Sequence, residues 1–165
     1  MAFVSDKIKG DTAEASVAEM LSSFWRVSKS SDLHKGAFTD WDLSAADIVS
    51  GVEVFTVEVK YDEMQSKTGN IAIEIYNSKS GKPSGLTATK ANLWCHVLKD
   101  SAWIASVETL KKFCEENTPF KSFNFVGDGN ASILLYKTED ILKIFERIDE
   151  CSKQSLRKKI DFLLM

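Results

Sequence analysis

The chain has 165 residues, 44% hydrophobic and 27% charged, with a formal net charge of −3. That is enough for one domain with its own core, and the balance excludes a disordered tail, a collagen-like fibre and a coiled coil. An acidic total also excludes wrapping of a polyanion over the whole surface, so any such partner would need a local basic patch.

No stretch approaches the ~18 apolar residues of a membrane span. The first residues lack the apolar run of a signal peptide. Three widely spaced cysteines, Cys95, Cys114 and Cys151, form neither a disulfide framework nor a CxxC zinc pair. The expectation is a non-membrane protein of a reducing cytoplasm.

In chain order, Asp11 and Thr12 read as caps for a helix over 13–24, with Ala13, Val17, Met20, Leu21 and Phe24 at helical spacing. Strands are predicted at 24–27 and 38–45. Residues 52–60 alternate for most of their length and give the strongest strand signal. A turn at Thr68-Gly69-Asn70 leads into a second alternating strand over 71–76, expected to pair with 52–60. The stretch 77–85, with Pro83 and two glycines, is the most loop-like. A short helix at 87–92, a strand at 93–98, a helix at 107–116, a strand at 131–136 and a helix at 139–156 follow. The end, 157–165, is basic and then apolar. The sum is an α/β (α+β) domain, a mixed sheet with helices on each side.

In a strand, residues two apart share a face. In Val57-Glu58-Val59-Lys60 the valines point one way, and Glu58 and Lys60 the other. Taken alone, that pattern reads as an exposed charge pair. Upstream, Thr39-Asp40-Trp41-Asp42-Leu43 puts two carboxylates on one face, with Trp41 and Leu43 toward the core. A hairpin between these strands would set Asp42 beside Glu58. Converging carboxylates repel one another, and a divalent cation relieves that repulsion. Hard oxygen donors favour Mg²⁺, which takes one or two carboxylates and keeps several waters. Such an ion polarises a phosphoryl oxygen and activates a bound water, while a nearby lysine stabilises developing negative charge.

An acid at a strand end, a short gap and then Glu-x-Lys on the next strand resembles the PD-(D/E)XK nuclease superfamily, through Asp42, Glu58 and Lys60. Trp41 stands where the motif has proline, which leaves Asp40 open as an alternative ligand. In resolvase-like members a glutamate on the preceding helix completes the acidic cluster; Glu14 fits that place, with Glu19 as competitor. An ordinary first-turn acid is the other reading of Glu14. The segment after Lys60, with its Thr-Gly-Asn turn, Glu74 and Ser84-Gly85…Thr89-Lys90-Ala91-Asn92-Leu93-Trp94, looks like phage and bacterial members. Asn92 replaces an aspartate there. The resemblance covers about 11–98, with 99–165 completing a single domain over 1–165.

The resemblance implies a restriction-endonuclease-like mixed sheet and a Mg²⁺-dependent endodeoxyribonuclease, with Mn²⁺ able to substitute, leaving a 5′-phosphate and a 3′-hydroxyl. Asp42, Glu58 and Glu14 would bind metal, and Lys60 would position the attacking water. Lys67, Asn70, Lys82, Ser84, Thr89 and Lys90 would face DNA, and Glu74 would support a metal or a water. A phage-type homing endonuclease in a bacterial or phage-infected cell is the leading role. A branched-DNA resolvase or restriction enzyme stands beside it, and a non-catalytic DNA-binding protein on the same fold is the alternative of another class.

The remaining signals are weaker. His96 sits next to Cys95 on a strand, so the two face opposite sides and make no nucleophile pair. Cys114 and Cys151 read as small buried apolar residues. No phosphate-binding glycine motif occurs. The apolar end, Ile160 and 162–165, is expected to dock on the core or to form a homodimer interface.

Overall fold

The computed structural model describes residues 2–34, 40–126 and 130–165. The first part of the strand expected at 38–45 lies outside them. In chain order the elements are α1 (Ala2–Leu21), β1 (Trp25–Lys29), α2 (Ser30–Leu33), β2 (Leu43–Asp47), β3 (Glu53–Tyr61), α3 (Gln65–Thr68), β4 (Asn70–Asn77) and β5 (Lys82–Pro83). A 3₁₀ turn at Gly85–Thr87 leads to β6 (Leu93–Leu98), β7 (Ser101–Ser106), α4 (Val107–Glu116), β8 (Lys121–Val126) and β9 (Ala131–Lys137). The chain closes with α5 (Thr138–Ile141), a 3₁₀ turn at Leu142–Ile144, β10 (Glu146–Arg147) and α6 (Lys153–Leu163).

These strands build two sheets. The larger is ordered β1-β2-β3-β6-β7-β10 and is mixed, because β3 and β6 run parallel while its other pairs are antiparallel. The smaller is ordered β5-β4-β9-β8 and is antiparallel. The α/β class and the mixed sheet flanked by helices match the sequence reading.

The pleat of β3 and β6 divides the core in two. Val57, Val59, Leu93 and Cys95 point to one face, where Ala13, Val17 and Leu21 of α1 and Leu156 and Ile160 of α6 cover them. Trp94 and Leu98 point to the other, against Ile71 and Ile73 of β4, Tyr136 of β9 and Leu110 of α4. Fully burying one such aliphatic side chain stabilises the fold by roughly 1.5–3 kcal/mol, so each layer is held mainly by apolar contact. Glu58 and Lys60 share the pleat direction of Trp94 and therefore look toward the smaller sheet.

Several elements depart from the sequence reading. The strands β3 and β4 are not neighbours: β2 and β6 take both edges of β3, and β4 pairs with β9 and β5. A single helical turn and Gly69, with φ +67°, redirect the chain between them. The first helix begins at Ala2, so Asp11 and Thr12 lie inside it and cap nothing. The short helix is a 3₁₀ turn at Gly85–Thr87, ahead of the predicted 87–92. The strands β7 and β8 depart from the sequence reading, which placed no strand at either position.

The helix expected over 139–156 breaks into a turn, the two-residue β10 and the start of α6. Phe145 is buried in the core on one side of the large sheet and Ile148 in the core on the other. One straight helix cannot serve both faces, so the chain crosses the sheet edge as a strand. Ser152 then caps α6, its Oγ accepting from Ser155 N–H at 3.3 Å. At the C-terminus Ile160 is fully buried, whereas Phe162 is 70% exposed. Docking on the core thus accounts for Ile160 and not for Phe162. No helix among the described residues is long and apolar enough to cross a membrane.

Candidate active site

A cleft of about 510 Å³ opens between α1, the end of β3 and the smaller sheet, and Gly10, Glu14, Asp42, Lys60, Glu74 and Trp94 line it. Each acid is delivered by a different element. Glu14 comes from α1, beside core-facing Ala13 and Val17. Its carboxylate lies 3.9 Å from Lys29 Nζ at the end of β1. The competitor Glu19 is exposed elsewhere on the helix.

Asp42 immediately precedes β2. Its N–H donates to Val57 O at 3.0 Å, and its Oδ2 accepts from Val59 N–H at 2.7 Å. The β2–β3 hairpin thus sets this carboxylate against the strand that carries Glu58 and Lys60. Asp40 faces another way: its Oδ2 pairs with Lys90 Nζ at 3.0 Å and its carbonyl accepts from Lys90 N–H at 2.9 Å.

Glu58 is only 7% exposed. Its Oε1 lies 2.5 Å from Lys60 Nζ, and its Oε2 is 3.1 Å from Thr89 Oγ1. Both oxygens are therefore oriented. Glu74 enters from β4 on the facing sheet, and its Oε1 accepts from Ser84 Oγ at 2.6 Å. Gly85, at φ +51°, packs so closely on Glu74 that a Cβ would collide with the Glu74 backbone.

The electrostatics of the site reflect a surplus of negative charge around one ammonium. Burial works against the charge of Lys60, but Glu58, Asp42 and Glu74 outweigh it and hold its pKa above the usual lysine value. Burial, together with the Asp42 charge, pushes Glu58 up in spite of Lys60. Glu14 is raised for the same two reasons, with Lys29 only partly compensating.

A further cation would relieve this surplus, and hard carboxylate oxygens are the donors Mg²⁺ prefers. Among the described residues no three His, Cys, Asp or Glu side chains are gathered into a closed ligand group. An ion that takes one or two carboxylates and fills its remaining sites with water does not require such a group. Asp42, Glu14 and Glu74 line the cleft, while Glu58 lies close enough to feel the Asp42 charge but has its oxygens turned to Lys60 and Thr89.

The six residues expected to face DNA separate into two kinds. Lys67 on α3, Lys82 on β5 and Lys90 are exposed. Asn70 and Thr89 are buried. Asn70 Nδ2 donates to Thr68 O at 3.0 Å, and Thr89 is turned to Glu58. Ser84 is held by Glu74. Thr89 and Ser84 thus orient two of the acids, whereas Asn70 is hydrogen-bonded to Thr68. A larger groove, about 1000 Å³, runs between α4 and the end of α6; Lys90 borders it, and none of the four acids does.

The cleft also contains a group that the sequence reading passed over. Asp62, just beyond β3, accepts from Gln65 N–H at 3.0 Å and Ala72 N–H at 3.1 Å. Its Oδ2 lies 3.5 Å from His96 Nε2, and Trp94 Nε1–H donates to His96 Nδ1 at 3.2 Å. Burial opposes the charge on Asp62, but the hydrogen bonds from His96, Ala72 and Gln65 hold its pKa below the usual carboxylate value. Period-two spacing carries the face of 58 and 60 on to 62, just past the end of β3, as it does through 94 and 96 on β6, but it does not tell which distant segments meet there. Comparison with known proteins adds no relative, since no family model, curated protein or solved structure matches the chain.

Proposed function

We propose that the protein is a metal-dependent endonuclease that hydrolyses DNA phosphodiester bonds in this cleft. The observation that carries the reading is the convergence of Glu14, Asp42, Lys60 and Glu74 on one cleft, with the buried Glu58 carboxylate in contact with Lys60. The resemblance of the same residues to the PD-(D/E)XK pattern supports it. Bound Mg²⁺ would be held by Asp42 and Glu58 and would supply a Lewis acid to the scissile phosphate.

The chain's own residues do the rest. Lys60, kept protonated by its acidic neighbours, places a positive charge and N–H donors where charge develops on phosphate or water. Glu58 restrains that ammonium through its 2.5 Å contact, and Thr89 restrains Glu58. Val59 N–H fixes the Asp42 carboxylate. The exposed Lys67, Lys82 and Lys90 are the candidates to hold backbone phosphates. Within this reading a phage-type homing enzyme is favoured, on the segment that follows Lys60, over a branched-DNA resolvase or a restriction enzyme.

The test is a cleavage assay on supercoiled plasmid, linear duplex and a four-way junction, with Mg²⁺ or EDTA, for the wild type and Lys60→Ala. The expected result is Mg²⁺-dependent cutting reduced at least ~100-fold in Lys60→Ala and Asp42→Ala, the scale of losing a transition-state donor. Wild-type rates in either variant would overturn the assignment. A thermal shift with Mg²⁺ that Asp42→Ala abolishes would place the ion independently of any target site.

A further inference from the structure

We propose that Asp62, His96 and Trp94 form a buried positioning chain that fixes the Trp94 ring beneath Lys60 and so sets where its ammonium points. The inference rests on the nuclease reading for its consequence but not for its geometry. The parallel register places Glu58 opposite Trp94 and Lys60 opposite His96 on neighbouring strands. Lys60 Nζ lies 5.8 Å from the Trp94 ring centroid, within the range of a cation–π contact. The same ammonium touches Glu58. It is therefore held from two sides, by a carboxylate and by a ring face.

The ring is itself held. Trp94 is fully buried and its N–H donates to His96 Nδ1, so that nitrogen carries no proton and Nε2–H points to Asp62. Asp62 is anchored by the backbone N–H groups of Gln65 and Ala72, one on α3 and one on β4. The chain thus runs from the smaller sheet, through a charged carboxylate and a neutral imidazole, to the indole that faces Lys60. A hydrophobic core needs no such chain: three buried polar groups persist only where each is partnered. None of the three touches a reacting atom, so these are positioning residues for Lys60.

The test reads Lys60 directly and needs no DNA. Reductive methylation of the metal-free protein at one fixed pH, followed by peptide mass spectrometry, gives the rate at Lys60 relative to exposed Lys158. In His96→Leu, which breaks both links, Lys60 is expected to react about two- to five-fold faster than in the wild type, the factor one cation–π contact is worth. His96→Gln, which can accept from Trp94 and donate to Asp62, should restore the slow rate. Should His96→Leu fail to fold, Trp94→Phe carries the same test, since it removes the N–H and keeps a ring.

A folded His96→Leu, or else Trp94→Phe, that labels Lys60 at the wild-type rate overturns the proposal. In the cleavage assay His96→Leu should lower kcat and leave KM for DNA unchanged. If the protein cut no DNA at all, the labelling result would still stand, so the two readings fail separately.

Discussion

Glu58 carries three constraints at once: it is buried, it touches Lys60 and it accepts from Thr89. Glu14 has a looser place and gives the cleaner experiment. Its pKa is raised in the folded protein by burial and by Asp42, so the folded state binds its proton more tightly than the unfolded chain does. The charged form therefore costs stability as pH rises from the ordinary value of 4.5 through the raised one, and the cost is absent well below 4.5. Glu14→Gln is expected to melt at a higher temperature than the wild type at pH 7, with the gain vanishing near pH 3.5; an unchanged or lower melting temperature at pH 7 would refute this. Asp42, Glu58 and Lys60 were legible because period-two alternation is a local property of the chain. Glu74 was named from the segment after Lys60, whereas the contact of Asp62 with His96 and Trp94 depends on pairings between distant segments, which no short window displays.

Among the elements, the 3₁₀ turn at Gly85–Thr87 does more than connect two strands. It presses Gly85 on the backbone of Glu74 and offers Ser84 Oγ to that carboxylate. At φ +51° a side chain is strained even where there is room, and here there is none. Gly85→Ala should cost more than about 1 kcal/mol, read as a lower urea midpoint. It should also weaken cleavage more than Gly81→Ala does, since Gly81 shares the positive φ but has nothing near it. Strand β6 and helix α4 have the bounds that their patterns predict. The stretch 139–156 fooled the helical pattern because its apolar residues serve two cores on opposite faces of one sheet. Periodicity records that a residue is buried, not which layer buries it.

At the scale of the whole molecule, charge and connectivity set the terms. A protein of net charge −3 can hold DNA only through local contacts. Lys67→Ala and Lys82→Ala should each make the slope of log K against log salt shallower by ~0.9, the value of one phosphate contact on duplex. Anisotropy titrations with the Lys60→Ala protein would read it, and unchanged slopes would remove these lysines from the interface. Connectivity limits how far the domain can be trimmed. A chain ending at Leu98 keeps all four acids and Lys60 but loses β7 from beside β6 and β9 from beside β4. Two bare sheet edges and a half-covered core should leave it without a cooperative thermal transition; a sharp melt by circular dichroism would show that residues 1–98 stand alone.

The parallel pairing of β3 with β6 has a consequence in time. Its crossover contains β4, and β4 is completed only by β9, far downstream. Synthesis delivers the N-terminal segments first, and non-local pairings form slowly. Glu14, Asp42, Glu58 and Lys60 therefore leave the ribosome well before the strand that finishes the opposite wall. A nascent chain carries these side chains without the frame that aims them, and the cleft is complete only once β9 has emerged.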